Sequence, residues 1–419
     1  MSRDTLRTIE AARALRRRLV DGGRWNEASR MVAEVVAEVL ARQEPISGPV
    51  LAGLAYAAGA PRPDTPKAPA NPAKPMPLER VVAMRAVMEA NRGGDREEVV
   101  AAARAVLASE AWTEPGCLWY SVLALVYAGE LAEARQHADR AARAPHFQTI
   151  PRTRDSVAVL RARVATWSGE PQLAADTLVK LLDRGVFAQF AGIAVAWAVA
   201  ALTELGEHGR AEDLLRAHDF DGALTDAPDR AELLFARGAH YLATGRHQLG
   251  YDDFRACGRE LDGWAVHNPA VLPWRSQAAL CAHALQRPVV AASLARAELM
   301  AARRWGAPKP LGVAMHALAL AAPEPGSLAL LTEAAELLAA CGAKAEHDRA
   351  RADLRTMEGV RGLTAQEIKI ARLARAGHSN KEIAARLGLV IRTVELHLSS
   401  VYRKLGVTGR DALRALSSL

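Results

Sequence analysis

The last 57 residues carry the pattern that decides the fold of this part of the chain: residues 363–419 read LTAQEIKIARLARAGHSNKEIAARLGLVIRTVELHLSSVYRKLGVTGRDALRALSSL. Thr364 stands three residues before Glu367, which is the spacing of a capping box at the start of an α-helix. Ser379 and Glu382 repeat this spacing, and a glycine follows each of the first two apolar runs, where helices commonly end. The pattern predicts four helices, over 364–376, 380–387, 391–405 and 410–418.

The third predicted helix has two distinct faces. One face is apolar, with side chains recurring at spacings of 4, 3 and 4, and is predicted to be buried. Its members are Val394, Leu398, Val401 and Leu405. At 100° per residue the opposite face is centred on Arg392, Leu396, Ser399 and Arg403. This second face combines hydrogen-bond donors with one apolar group, which suits the reading of base edges but also an ordinary solvated surface.

The positive charge of the chain is concentrated in the same stretch. Residues 363–419 hold ten Lys or Arg against four Asp or Glu, a net charge of +6, while the whole chain carries +7. A nearly neutral body with a basic terminal module is typical of nucleic-acid-binding proteins.

Three motifs in this stretch resemble the LuxR/FixJ/NarL-type helix-turn-helix. They are SNKEIAARL (379–387), RTVELHL (392–398) and YRKLGV (402–407), and their order and spacing match as well. The resemblance covers about 57 residues and implies that 380–387 is the scaffold helix. It also implies that 391–405 is the recognition helix, which docks in the major groove of duplex DNA.

The helix periodicity and the resemblance together nominate ten residues for contact with DNA. The resemblance implies that Glu395, Leu396 and Ser399 read bases, with Arg392 close by. The periodicity agrees on Leu396 and Ser399 but places Glu395 at the edge of the outward face. A carboxylate can accept from a cytosine amino group, an apolar side chain can contact a thymine methyl, and a hydroxyl can donate or accept. Phosphate anchoring is assigned to Lys381, Thr393, His397 and Lys404, and the same surface includes Ser400 and Arg403. The alternative for His397 is an ordinary surface histidine.

One residue departs from the family pattern. Val390 stands where the family usually has Ser or Thr to cap the recognition helix. Valine cannot cap, and an uncapped helix start costs about 1 kcal/mol. We therefore expect weaker DNA binding with the fold unchanged.

A helical repeat is predicted upstream of this module. A turn residue, in most cases Gly, is followed five residues later by a small or apolar residue, and successive turns are 35, 40, 37, 39 and 41 residues apart. The pairs are Gly94/Val99, Gly129/Ala134, Gly169/Ala174, Gly206/Ala211, Gly245/Gly250 and Gln286/Ala291. Such a period is typical of a helix-hairpin solenoid and resembles tetratricopeptide repeats, with an irregular all-helical domain as the alternative.

Five tryptophans of this region are interpreted as core residues, with lining of a concave binding face as the alternative. They are Trp167, Trp197, Trp264, Trp274 and Trp305.

Two further segments are similar to the repeat region of large LuxR regulators that carry an N-terminal ATPase. They are WAVHNPAVLPWRSQAAL (264–280) and ARRWGAPKPLGVAMHALAL (302–320). Those relatives have a phosphate-binding loop, G-x-x-x-x-G-K-[ST], which this sequence lacks. ATP-driven switching is therefore not expected here.

The predicted organisation is all-α. It comprises an N-terminal helical segment over 1–58, a Pro-rich linker over 59–78, a tetratricopeptide-like solenoid of helical hairpins over 79–355 and a four-helix LuxR-type domain over 356–419. Seven prolines between residues 59 and 77 exclude a helix in the linker.

The predicted function is sequence-specific, DNA-binding regulation of transcription, as an activator by resemblance, with the repeats binding a ligand, a partner protein or another protomer. The resemblance also implies a homodimer on DNA through 410–418 and contact with RNA polymerase. The alternative is a helical-repeat scaffold without specific DNA binding, and salt-dependent gel shifts would separate the two.

No enzymatic activity, cofactor or metal is predicted, because no nucleophile–base pair, metal-ligand spacing or phosphate loop occurs. The four cysteines, Cys117, Cys257, Cys281 and Cys341, lie far apart and are interpreted as core residues in a reducing compartment. The N-terminus lacks the apolar core of a signal peptide, and no apolar run reaches the ~20 residues of a membrane span. A cytoplasmic, nucleoid-associated protein is therefore expected, with no membrane partner.

Overall fold

The computed structural model describes residues 78–186, 188–224 and 229–414, together with the isolated positions 31 and 35, which are helical. The predicted N-terminal segment (1–58) therefore lies outside the described residues apart from those two positions. The predicted linker (59–78) also lies outside them, except that Leu78 begins the first described helix. The described residues form twenty α-helices and one short 3₁₀ helix, without a β-strand, which confirms the all-α prediction.

Sixteen helices precede the C-terminal module. They are α1 (Leu78–Arg92), α2 (Arg96–Ala108), α3 (Pro115–Ala128), α4 (Leu131–Arg143), α5 (Pro145–Gln148), α6 (Pro151–Trp167), α7 (Pro171–Asp183), α8 (Ala188–Glu204), α9 (His208–Ala217), α10 (Arg230–Ala243), α11 (His247–Gly263), α12 (Trp274–Ala284), α13 (Pro288–Trp305), α14 (Pro308–Ala321), α15 (Ser327–Ala340) and α16 (Lys344–Arg361). The four helices of the module are α17 (Ala365–Arg375), α18 (Asn380–Leu387), α19 (Ile391–Leu405) and α20 (Arg410–Arg414).

The helices before the module form hairpins, and six of the hairpin turns fall where the repeat pattern predicts them. The turn between α3 and α4 uses Gly129 at φ 87°, a left-handed conformation that glycine adopts without a Cβ clash. Gln286 adopts the same region at φ 57° between α12 and α13, so the pattern persists there without glycine. A seventh hairpin, α14 with α15, lies beyond the predicted pattern. This arrangement is compatible with a tetratricopeptide-like solenoid.

The small residue of each pair lies at the contact between the two helices of its hairpin. Ala134, Ala174, Ala211 and Ala291 are fully buried. A Cβ added to Gly250 would lie 3.1 Å from the carbonyl oxygen of Gly238 and 3.2 Å from the Cys281 sulfur. Close packing of the paired helices is therefore the reason for the small side chain at this position.

Four of the five tryptophans that the sequence predicts as core residues are buried. Trp167, Trp197, Trp274 and Trp305 are buried, whereas Trp264 is 38% exposed. Trp305 also donates a hydrogen bond from its indole nitrogen to the carbonyl of Tyr127 at 2.8 Å.

The later repeats pack against the first ones. Asn268 donates from its side-chain amide to the carbonyl of Ala90 at 2.6 Å, and the backbone N–H groups of His267 and Asn268 both bond to the carbonyl of Asn91. These contacts join residues about 178 positions apart. The segment 266–272, which is not helical and is largely buried, therefore lies against the end of α1.

Helix α16 belongs to two hydrophobic cores. Ala350 and Leu354 are buried with side chains of α14 and α15, while Val360, at the other end of α16, packs into the core of the C-terminal module. The helix runs without interruption across the predicted domain boundary at 355/356.

Candidate nucleic-acid interface

The module begins with two capped helices. Thr364 accepts a hydrogen bond from the backbone N–H of Glu367, whose carboxylate accepts from the N–H of Thr364, and Ser379 and Glu382 do the same for α18. Both predicted capping boxes are thereby confirmed. The observed helices Ala365–Arg375, Asn380–Leu387 and Ile391–Leu405 agree with the predicted spans within one residue at each end.

A tight turn sets α19 beside α18. Gly388 ends α18 at φ 65°, and the N–H of Leu389 bonds to the carbonyl of Ala384 at 2.9 Å. Arg410 donates to the carbonyl of His378 and to the side-chain oxygen of Asn380, which ties the start of α20 to the turn before α18. The turn therefore sets the direction in which α19 leaves α18, and Arg410 joins α20 to α18.

The inward face of α19 is the one that its periodicity predicts. The four apolar side chains, Val394, Leu398, Val401 and Leu405, are buried in one cluster. They pack there with Ile370, Ala371 and Ala374 of α17 and with Ile383 and Ala384 of α18.

The opposite face of α19 is open to solvent. The Arg392 side chain is 80% exposed and Leu396 is 60% exposed, and Ser399 and Arg403 are also exposed. This face therefore presents one apolar side chain among polar ones, although a single exposed leucine is in itself ordinary for a protein surface.

Some polar groups on this face contact each other. An Arg392 guanidinium nitrogen lies 3.6 Å from a Glu395 carboxylate oxygen, and the Ser399 hydroxyl donates to the Glu395 carbonyl at 2.9 Å. Both contacts are local and exposed, so they can exchange for contacts with a base edge at small cost.

The predicted phosphate-binding residues differ in their surroundings. Lys381 is exposed, and Thr393 and His397 are half-buried. Lys404, by contrast, donates from Nζ to both carboxylate oxygens of Glu367, at 2.9 and 2.7 Å. Ser400 donates to Glu367 Oε1 at 2.7 Å. In the unbound chain, then, Ser400 and Lys404 are directed toward α17.

The sequence pattern predicts only the capping role of Glu367 and not its contacts with α19. The hydrogen bonds from Lys404 are the largest cause of its lowered pKa, followed by the N–H of Thr364, and together they bring the pKa to about 2. Its partners at 400 and 404 lie 33 and 37 residues away, so no helical spacing could indicate them.

Comparison with known families agrees with this geometry. Residues 361–416 match the family described as bacterial regulatory proteins, luxR family. The C-terminal module is a LuxR-type helix-turn-helix domain. The chain is therefore a DNA-binding regulator of transcription. No curated protein matches the chain significantly. Every helix in the described ranges is too short or too polar to cross a lipid bilayer.

The start of the recognition helix in this LuxR-type domain has no side-chain cap. Val390 occupies the cap position at φ −83° and ψ 150°, a conformation suitable for capping, but makes no side-chain hydrogen bond. Its side chain is exposed, so a replacement meets no steric obstacle.

We predict that Val390→Ser stabilises the LuxR-type domain by about 1 kcal/mol, because the serine hydroxyl can accept from the N–H groups in the first turn of α19. Thermal unfolding would measure the gain. Val390→Ala is the matched control and should leave stability nearly unchanged. A Val390→Ser protein no more stable than Val390→Ala would contradict the prediction.

Proposed function

We propose that the chain is a sequence-specific regulator in which α19 reads base edges in the major groove and the helical repeats receive the regulatory signal. The open face of α19 supports this assignment most directly, since it presents Arg392, Leu396 and Ser399 while the apolar face is sequestered. These three side chains combine donors, an acceptor and an apolar contact, which base recognition requires.

The phosphate contacts of the proposed complex come from both helices. Lys381 at the start of α18 and Arg403 near the end of α19 are exposed, and each would neutralise one phosphate. Two of the three N–H donors of Lys404 are directed at Glu367, which leaves one for a phosphate oxygen. Affinity should therefore fall steeply with salt concentration.

We further propose a homodimer on DNA that reads an inverted repeat, with contacts through the last helix over 410–418. Of this helix, only Arg410–Arg414 falls within the described residues. We also propose that the protein activates transcription. Comparing transcription from a bound promoter with and without the protein would show whether it activates or represses.

Gel shifts on genomic fragments test the DNA-reading proposal. We predict that the double variant Leu396→Ala and Ser399→Ala loses about 1–3 kcal/mol of discrimination between bound and mismatched sites.

Lys381→Ala should weaken binding to all fragments about equally and lower the slope of log affinity against log salt by about 1.

The salt titration needs a control variant outside the LuxR-type domain. Arg349→Ala, on the exposed side of α16 and outside the LuxR-type domain, should leave affinity and salt slope unchanged. Salt-insensitive binding, or sequence preference that survives the double variant, would overturn the groove assignment and favour a scaffold without specific DNA binding.

A further inference from the structure

Glu298 of α13 is a carboxylate that the repeats enclose completely. It is 0% exposed. One oxygen, Oε1, accepts a hydrogen bond from the backbone N–H of Ser276 at 3.3 Å. The other oxygen, Oε2, lies 3.6 Å from Nη1 of Arg275 and has no hydrogen-bond partner among the residues that the structure describes. The side chain is therefore held by one long hydrogen bond and one cation beyond hydrogen-bond distance.

Two other buried carboxylates show what the fold supplies where it holds a negative charge. Asp253 accepts hydrogen bonds from Nε and Nη2 of Arg237, at 2.7 and 2.8 Å. Asp155 accepts from Nη2 of Arg184 at 2.8 Å. Burying an ionised group is costly unless an opposite charge and hydrogen bonds compensate it. Glu298 has much weaker compensation than these two, so its surroundings favour the neutral carboxyl.

Arg275 of α12 compensates Glu298 only in part because it also contacts other groups. Its Nη2 donates to Oδ1 of Asp262 at 3.5 Å, and its guanidinium carbon lies 4.5 Å from the centroid of the Trp274 ring. Arg255 of α11 lies 5.8 Å from the same ring. The Arg275 side chain is 20% exposed, so water screens its charge at the edge of the site.

The proton on this carboxyl is exchanged near neutral pH. Burial raises the pKa of Glu298 to about 7, against the opposite effects of the Arg275 charge and the N–H of Ser276. Cys257 of α11 stays protonated there, because burial, with Glu298 among the carboxylates that add to it, raises the thiol pKa well above 9.0. Within the described residues, α13 and α14 contribute no further charged group to the site.

The site is connected to the closure of the later repeats on α1. Glu298 holds the first turn of α12 through the N–H of Ser276. Helix α12 follows directly after the segment 266–272, and the N–H of Trp274 donates to the carbonyl of Leu272 at 2.8 Å. That segment is bonded to the end of α1. A change at Glu298 therefore acts within a few residues of this closure.

We propose that Glu298 is a proton-controlled lock in the repeats. Below neutral pH its neutral carboxyl stays buried at the contact between α12 and α13. Above neutral pH it releases its proton to solvent, and the ionised carboxylate draws water toward itself, which loosens the start of α12 and the segment 266–272 from α1. The lock stands on the surroundings of Glu298, whereas its regulatory meaning rests on the proposed function of the repeats as the signal-receiving part.

Glu298→Gln should keep the site neutral at every pH. A carboxyl whose pKa is raised by folding costs stability as the pH rises from its usual 4.5 to the folded value of about 7. The melting temperature of the variant should therefore match that of wild type near pH 4.5 and exceed it by about 3–5 °C at pH 8. Glu333→Gln, at an exposed position of α15, is the matched control and should differ from wild type by less than about 1 °C at both pH values.

Two results of this comparison would overturn the proposal. A Glu298→Gln protein less stable than wild type at pH 8 would show that the fold uses the charged carboxylate. An equal gain at pH 4.5 and pH 8 would show that the substitution acts through packing and not through the proton.

Hydrogen exchange of the full wild-type chain tests the loosening without any substitution. The amides of His267 and Asn268 bond to the carbonyl of Asn91. They should exchange about 10-fold faster at pH 8 than at pH 6, after correction for the intrinsic pH dependence of exchange. Glu298→Gln should not show this increase. Equal protection of the wild-type amides at the two pH values would overturn the proposal, whether or not the variant folds.

Gel shifts on the same samples separate this inference from the proposed function. Glu298→Gln at pH 6 should bind DNA with wild-type affinity, since α13 is not part of the LuxR-type domain. Wild-type protein that shows the pH-dependent exchange but no specific DNA binding would overturn the proposed function and leave the lock standing.

Discussion

Gly359→Ala is expected to destabilise the LuxR-type domain by about 1–3 kcal/mol, although alanine normally favours a helix over glycine. A Cβ at position 359 of α16 would clash with the carbonyl oxygen of Lys404 and would lie 3.2 Å from the Cα of Leu405. Both contacts are with the backbone of α19, which cannot rotate away as a side chain can. One of the two helices must therefore shift.

Gly362→Ala is the matched control for this experiment. It lies three residues further along, and the nearest atoms to an added Cβ are the carbonyl oxygens of Gly359 at 3.4 Å and Glu358 at 3.8 Å. Its φ of −78° is acceptable to any residue. Thermal unfolding of the two variants should separate them clearly. Equal stability of Gly359→Ala and wild type would show that α16 and α19 can move apart without cost.

The same contact offers a physical route for the regulation of the DNA-binding domain that we propose for the repeats. Lys309 of α14 forms an ion pair with Glu346 of α16 at 3.0 Å, and His316 of α14 lies 2.8 Å from Asp353 of α16. The far end of α16 contacts α19 through Gly359. In the proposed regulation, a movement of α14 would reach the recognition helix through the single helix α16.

Local patterns in the sequence were sufficient for the LuxR-type domain. Thr364 with Glu367 and Ser379 with Glu382 predicted both helix starts, because capping depends on residues three positions apart. The burial of Val394 and its partners also followed from helical spacing.

Contacts between distant residues could not be predicted in this way. Nothing in the spacing of Asn268 and Ala90 indicates that they bond, and the closure of the later repeats on α1 was therefore missed. The hydrogen bond from the Arg163 guanidinium of α6 to the carbonyl of Val271 depends on the same closure, because Val271 belongs to the segment that packs against the end of α1. The sequence-based assignment of Lys404 to phosphate likewise could not include its bonds to Glu367.

Glu367→Gln is expected to cost the LuxR-type domain about 3 kcal/mol at pH 7, since the pKa of this carboxyl falls from the usual 4.5 to about 2 on folding. Glutamine can still accept the cap bond from the N–H of Thr364, so the variant removes the negative charge that Lys404 neutralises and keeps the cap. Glu382→Gln is the matched control because Glu382 holds the same place in the second capping box, is exposed and has no lysine partner in the described ranges. Its loss should be much smaller.

The stability difference between wild type and Glu367→Gln should decrease as the pH falls. A carboxyl whose pKa is lowered by folding stabilises the folded state above its unfolded pKa, and the stabilisation is lost as the pH falls toward the folded value. The difference in stability between wild type and Glu367→Gln should therefore be constant from pH 7 to about 5 and shrink by more than half by pH 3. Chemical unfolding at each pH would measure it. A difference that stays the same down to pH 3 would mean that Glu367 acts through packing and capping alone, and Lys404 would then be available to phosphate without competition.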